Sequence, residues 1–212
     1  MVDIIFEDSS IIVCMKPAGL QSQGGKNDLV AMLDGYFEGN EPSAKAYPVH
    51  RLDRETAGIM VFAKNSLSAA KLSAQITEGK MKKHYYAVVQ GKPENESGIL
   101  KDLLFHDRQK NKTFTVKKSR KGVKEASLEY KAVGHAKGLS MLDILLHTGR
   151  THQIRVQFAS RKMPLYGDGK YGGGSGRLAL FAHKLEFSHP ITKDPLCFTA
   201  KPDSNEYPWN MF

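Results

Sequence analysis

The chain has 212 residues, 41% hydrophobic and 25% charged, and 31 Lys plus Arg outweigh 22 Asp plus Glu to give a formal net charge of +9. This is globular usage, which excludes a disordered chain, and the length suits one core, so a single domain over 1–212 is expected. No apolar run approaches the roughly 18 residues that a membrane-spanning helix needs, and the acidic start M-V-D-I-I-F-E-D lacks the basic region of a signal peptide.

Alternating apolar residues and turn signals predict strands at 2–6 and 10–15, a helix over 28–37, a strand at 59–64 and a helix over 66–78. In the second helix Leu67, Ala70, Ala74 and Ile76 leave one apolar side, and Asn65 or Ser66 supplies the cap. Strands follow at 84–90, 99–105, 112–117, 125–133 and 140–147, with Lys137-Gly138 as a hairpin turn before the last of these. A helix over 151–160, capped by Thr151, and a strand at 178–187 complete the set. The segments 90–98 and 161–176 read as surface loops, and 201–212 as a packed tail. Strands outnumber helices and follow one another closely, so the expected class is α+β: a mainly antiparallel mixed sheet with a few flanking helices.

Cys14 and Cys197 stand apart from any C-x-x-C and are read as reduced thiols, consistent with a cytoplasmic protein. Eight histidines show no H-x-x-x-H spacing and no Cys pair supports them, so no metal site is expected. Gly167-Asp168-Gly169-Lys170-Tyr171-Gly172 fits G-x-G-x-x-G, but Arg161-Lys162-Met163-Pro164 precedes it and Gly173-Gly174-Ser175-Gly176 follows. A dinucleotide fingerprint needs a strand before and a helix after, so no such cofactor is expected.

The positive charge suits either a soluble surface or a polyanion partner. The run Lys117-Lys118-Ser119-Arg120-Lys121-Gly122-Val123-Lys124 can be a solvated turn or a contact to backbone phosphates. Two further constellations carry chemistry. In Val49-His50-Arg51-Leu52-Asp53-Arg54-Glu55-Thr56-Ala57-Gly58 a polar turn runs into an apolar strand, and Asp53 lies between Arg51 and Arg54 with His50 near. Cations favour the ionised carboxylate, which suits a nucleophile or a charge stabiliser; a surface ion-pair cluster is the alternative. In His147-Thr148-Gly149-Arg150-Thr151-His152-Gln153-Ile154-Arg155 a strand ends at a helix start carrying two arginines and a histidine, a place suited to an anion or simply to a basic surface. Tyr85 and Tyr86 are consecutive in a strand and so face opposite ways; one can line a cleft and stack on a nucleobase.

Taken together, these segments resemble the RluA family of pseudouridine synthases. The resemblance rests on Met15-Lys16-Pro17-Ala18-Gly19-Leu20, H-R-L-D-R-E-T-A-G at 50–58, Lys83-x-Tyr85-x-Ala87, G-R-T-H-Q-I-R at 149–155, Leu165-Tyr166-Gly167-Asp168-x-x-Tyr171-Gly172 and Ala179-Leu180-x-Ala182-His183-x-Leu185, in the family's order. It implies that Asp53 is the nucleophile, Tyr85 packs on the flipped uracil, and Arg155 is the salt-bridge partner of Asp53. It further implies that Arg51 enters the RNA stack where the base leaves, and that Leu180 is an apolar pocket residue. Family members need no metal or cofactor.

His50, Arg54, Arg150, His152, Lys117, Lys118, Arg120 and Lys121 are the further RNA-binding candidates. Ala57, Gln157 and Met15 depart from residues frequent in the family, and none is among the proposed catalytic three. The lead-in strand begins at residue 2 with no S4 domain before it, so a stand-alone catalytic domain, monomeric and acting on a stem-loop of rRNA or tRNA, is expected. The competing function is an RNA-binding chaperone that uses the same basic face without catalysis.

Overall fold

The computed structural model describes residues 2–212. Its strands are β1 (Asp3–Glu7), β2 (Ile11–Lys16), β3 (Tyr47–Pro48), β4 (Ala57–Ala63), β5 (Lys82–Gln90), β6 (Ser97–Asp107), β7 (Lys112–Val116), β8 (Val123–Ala136), β9 (Leu139–Leu146), β10 (Leu180–Ser188) and β11 (Pro195–Thr199). The helices are α1 (Leu29–Asn40), α2 (Ser66–Thr77) and α3 (Gln153–Ala159), with a 3-10 turn at Trp209–Met211. The expected α+β class is what the chain adopts.

The chain forms two compact units, one from the residues up to Lys82 together with Ala182–Ala200, the other from Lys83–Phe181 together with Lys201–Phe212. In the first unit β2 lies between β1 and β4, both antiparallel to it, with β3 on β4 and β11 on β10. Ile11, Ile12, Val13 and Cys14 of β2 are fully buried, so this strand reads as an unbroken apolar run rather than an alternation, as strands covered on both faces do. Burial pushes the Cys14 thiol up to about 12, and both cysteines are free. Ile11, Val13, Ile59, Val61, Leu72, Leu185 and Phe187 form the core of the unit. Asp28 caps α1 by accepting from Ala31 N–H, and Asn65 caps α2 by accepting from Ser68 N–H.

Gly58 opens β4 at φ +133°, and a Cβ there would collide with the backbone of Ala182 in β10. Gly58→Ala is therefore expected to cost about 2 kcal/mol through overpacking and a left-handed backbone. Thermal unfolding should register this as a Tm lower by about 4–8 °C for a chain of this size.

In the second unit β9 pairs antiparallel with both β5 and β8, and β6 pairs antiparallel with β8 and β7. The β8–β9 hairpin turns on Lys137 (φ +47°) and Gly138 (φ +79°), two successive left-handed residues that match the twist of the flanking strands. Val88, Leu139 and Ala179 form a small core that Tyr166, Trp209 and Met211 cover, so the end of the chain packs as the sequence suggests.

Three local expectations change. The two-residue β3 and the Pro-led β11 are strands the sequence pattern did not separate from loop. The third helix starts at Gln153, not at 151, and Thr151 does not cap it. His152 occupies the cap position in a left-handed conformation (φ +53°) with no side-chain cap bond. The Gln153 side chain braces the turn ahead of the helix: its Oε1 accepts from Arg150 N–H at 3.0 Å and from the Thr148 hydroxyl at 2.7 Å.

Candidate active site

In the first unit the 49–56 segment leads into β4, and its backbone is pinned on both sides of Asp53. Before it, Leu52 exchanges two hydrogen bonds with one hydroxyl: its N–H donates to Ser22 Oγ at 3.1 Å, and that hydroxyl donates to Leu52 O at 3.0 Å. After it, Arg54 O accepts from Gly19 N–H at 2.8 Å and from Lys16 Nζ at 3.0 Å, while Arg54 Nε donates to Gly19 O at 3.1 Å. Thr56 N–H donates to Asp53 O at 3.1 Å and closes the turn. Asp53 itself is half-buried, whereas Arg51 and Arg54 are exposed. His50 accepts from Val61 N–H through Nε2 at 3.2 Å, which fixes its ring against β4. Asp53 thus stands on a loop that cannot drift, with exposed cations at either side.

Lys16 makes that possible and is the residue the sequence reading left without a role. It ends β2, is fully buried, and also donates to Pro17 O at 2.9 Å and Leu20 O at 2.6 Å. Burial pulls its ammonium down to about 8, against the opposing pull of the Asp53 and Glu55 carboxylates. The signals for it in the sequence are its place at the close of the apolar run I-I-V-C-M-K and in the motif Met15-Lys16-Pro17-Ala18-Gly19-Leu20.

In the second unit Tyr85 sits in β5 opposite Ile144 of β9 and is buried, while Tyr86 is only partly so, which matches the opposite facing of neighbours in a strand. Arg155 is buried on α3 and forms a bidentate pair with Asp168, Nε to Oδ2 at 2.7 Å and Nη2 to Oδ1 at 2.8 Å. Its guanidinium lies over the Tyr171 ring, 5.3 Å from the centroid. Asp168 and Tyr171 stand in one of the motifs that carry the resemblance, but the sequence assigned neither a role.

The RNA-binding candidates divide by exposure. Lys117, Lys118, Arg120 and Lys121 are all exposed in the β7–β8 connection, and Arg120 rests over the Phe105 ring at 5.0 Å. Arg150 is exposed and donates to Glu125 O at 2.9 Å. His152 is instead buried, with Nδ1 2.9 Å from the Tyr171 hydroxyl, and Leu180 is buried at the start of β10. Within this unit His152 and Arg155 meet on Tyr171; Arg150 and the 117–121 cluster stand apart from that contact.

The chain belongs to the RNA pseudouridylate synthase family, whose model matches residues 10–160. It is 38% identical over 202 residues to an uncharacterized RNA pseudouridine synthase of Bacillus subtilis, covering 91% of this chain and 66% of that protein. It is 32% identical over 220 residues to the ribosomal large subunit pseudouridine synthase D of Buchnera aphidicola, covering 94% of this chain and 69% of that one.

The chain thus spans about two thirds of the length of these two relatives. Against an uncharacterized RNA pseudouridine synthase of Zymomonas mobilis, 32% identical over 210 residues, it covers 95% of the relative. Among solved structures, human RNA pseudouridylate synthase domain containing 4 shares the fold with a TM-score of 0.79 at 21% identity, over 95% of this chain and 89% of that one. The resemblance carried by the motifs is borne out. No helix among the described residues is long and apolar enough to cross a membrane.

Proposed function

We propose that this protein isomerises uridines of a structured rRNA or tRNA to pseudouridine, with Asp53 as the nucleophile. The observation that supports this is the double anchoring of the backbone on both sides of Asp53. A surface ion-pair cluster needs no such anchoring, whereas a nucleophile must be held in register with its target. The reaction breaks the C1′–N1 bond and forms a C1′–C5 bond; C5 loses its hydrogen to water and N1 gains a proton. Atoms balance with no cofactor. The target nucleotide must first leave its stack, because C1′ and the base edge are not reachable within one. Tyr85 and Arg155 keep the roles that the family gives them: packing on the turned-out uracil and balancing the charge of the carboxylate.

The test is tritium release from RNA labelled at uracil C5, drawn from cells that lack this protein. Release to water with matching pseudouridine in the digest supports the reading, and fractionated RNA then names the substrate class. RNA bound without release overturns it in favour of a binding protein. The exposed cluster at Lys117, Lys118, Arg120 and Lys121 is proposed to meet backbone phosphates. Reversing all four charges is expected to weaken RNA binding and lower the slope of log affinity against log salt by about 3. An unchanged slope in a salt titration returns the cluster to a solvated turn.

A further inference from the structure

The glycine-rich loop 165–177 has an unusual purpose for its sequence. It is not a flexible tether. A Cβ at Gly167 would strike Arg177 O, and one at Gly173 would strike Leu165 O, so the two glycines let the chain fold tightly back on itself. Backbone bonds from Gly167 N to Gly173 O, Asp168 N to Leu165 O, Tyr171 N to Asp168 O and Gly173 N to Asp168 O hold that fold. What this compact loop presents is Asp168 and Tyr171, and both meet Arg155.

The two contacts fix different degrees of freedom. Asp168, with no exposed side-chain surface, grips the Nε–Nη2 edge of the guanidinium and sets the direction of the fork. Tyr171 sets its ring under the guanidinium carbon and limits how far the fork can tip. Tyr171 is itself anchored: its hydroxyl accepts from Thr113 N–H of β7 at 2.8 Å and is hydrogen-bonded to His152 Nδ1 at 2.9 Å. Thr113 in turn spends its hydroxyl proton on Thr151 O at 2.8 Å, just before α3. Lys112, beside Thr113, places its ammonium over the same tyrosine ring, 5.2 Å from the centroid. A buried ion pair is a poor source of net stability, since desolvation offsets its attraction. Orientation is what this assembly supplies.

We propose that Asp168 and Tyr171 are positioning residues for the isomerisation, acting through Arg155. The proposal rests on the reading of Arg155 as a member of the reacting site. Holding the fork in place removes the reorganisation that a mobile arginine would undergo as charge shifts during the reaction.

The test compares single-turnover rate at saturating RNA with RNA affinity for D168N, Y171F, R155A and the doubles D168N/R155A and Y171F/R155A, with circular dichroism to confirm folding. D168N is expected to slow the step about 100-fold, the scale of a small misplacement at a reacting centre, and Y171F about 5-fold, both with Kd within about 3-fold of wild type. Because both act through the arginine, each is expected to cost nothing further in the R155A background. A protein made unstable by loss of the ion pair would show no such erasure. If D168N does not fold, the Y171F pair decides by the same criterion. Equal slowing with and without Arg155 overturns the proposal, as do D168N and Y171F at wild-type rate beside a slow R155A. R155A at wild-type rate overturns the reading of Arg155 itself, and the proposal with it.

Discussion

Asp53→Ala is expected to bind the same RNA as wild type and to release no measurable tritium from uracil C5, a loss of about 10⁴-fold or more in single-turnover rate. The magnitude follows from removing the nucleophile outright: loss of a covalent catalyst costs on that scale in enzymes where it has been measured. Affinity is expected to survive because Asp53 is one half-buried carboxylate in a chain of net charge +9, so its removal leaves the attraction for phosphate intact or slightly greater. The paired measurement is a filter-binding isotherm with the tritium assay on one RNA preparation. Pseudouridine formed by the variant at more than a few per cent of the wild-type rate would remove Asp53 from the chemistry. A parallel loss of binding would assign it to RNA recognition instead.

The second large effect concerns Lys16, which never needs to touch the RNA. Its ammonium ties Pro17 O, Leu20 O and Arg54 O together, so Lys16→Met frees one end of the loop that carries Asp53 and leaves buried carbonyls short of a donor. The single-turnover rate is expected to fall about 100-fold with little change in Kd. A pH profile separates this from simple damage. With its ammonium pulled down to about 8, Lys16 loses a proton, and one of three donors, as pH rises through that value. Wild-type rate is therefore expected to decline above about pH 8, and the Lys16→Met variant to be slow at every pH with that limb gone.

Stability moves the other way. Between about 8 and the ordinary 10.5 of a free lysine, the unfolded chain binds a proton that the folded chain does not, so the cost of burying this charge is progressively relieved. A falling rate accompanied by falling stability across that window would point to another group.

Much of the fold was written locally. The apolar run of β2, the cap at Asn65 and the Lys137-Gly138 turn each depend on a few adjacent residues, and each was legible. The start of α3 was not, because no side chain caps it: the residue at the cap position, His152, is left-handed and makes no cap bond, and Gln153 N–H donates to the backbone oxygen of Arg150. β11 escaped because Pro195 opens a five-residue strand whose partner, β10, supplies its pairing. The candidate residues divide in the same manner. Asp53, Tyr85 and Arg155 stand in motifs that name themselves. The holding role of the residues around them shows only through distant partners: Ser22 reaches 30 positions to Leu52, Lys16 reaches 38 to Arg54, and Asp168 meets Arg155 across 13. A side chain whose role is to grip a carbonyl or a guanidinium elsewhere leaves no periodic or compositional trace.

The route of the chain has a consequence for how the protein is made. The first unit is sequence-discontinuous: its opening 82 residues wait for Ala182–Ala200, which bring Leu185 and Phe187 into its core and Phe198 against it. At about 5–20 residues per second, that interval lasts roughly 5–20 s on a translating ribosome. During it β2 and β4 lack part of the apolar cover they have in the finished protein, and the nascent chain is most exposed to chaperones and proteases. A premature stop anywhere before Ala182 would therefore also strip Leu185 and Phe187 from the core of the amino-terminal unit.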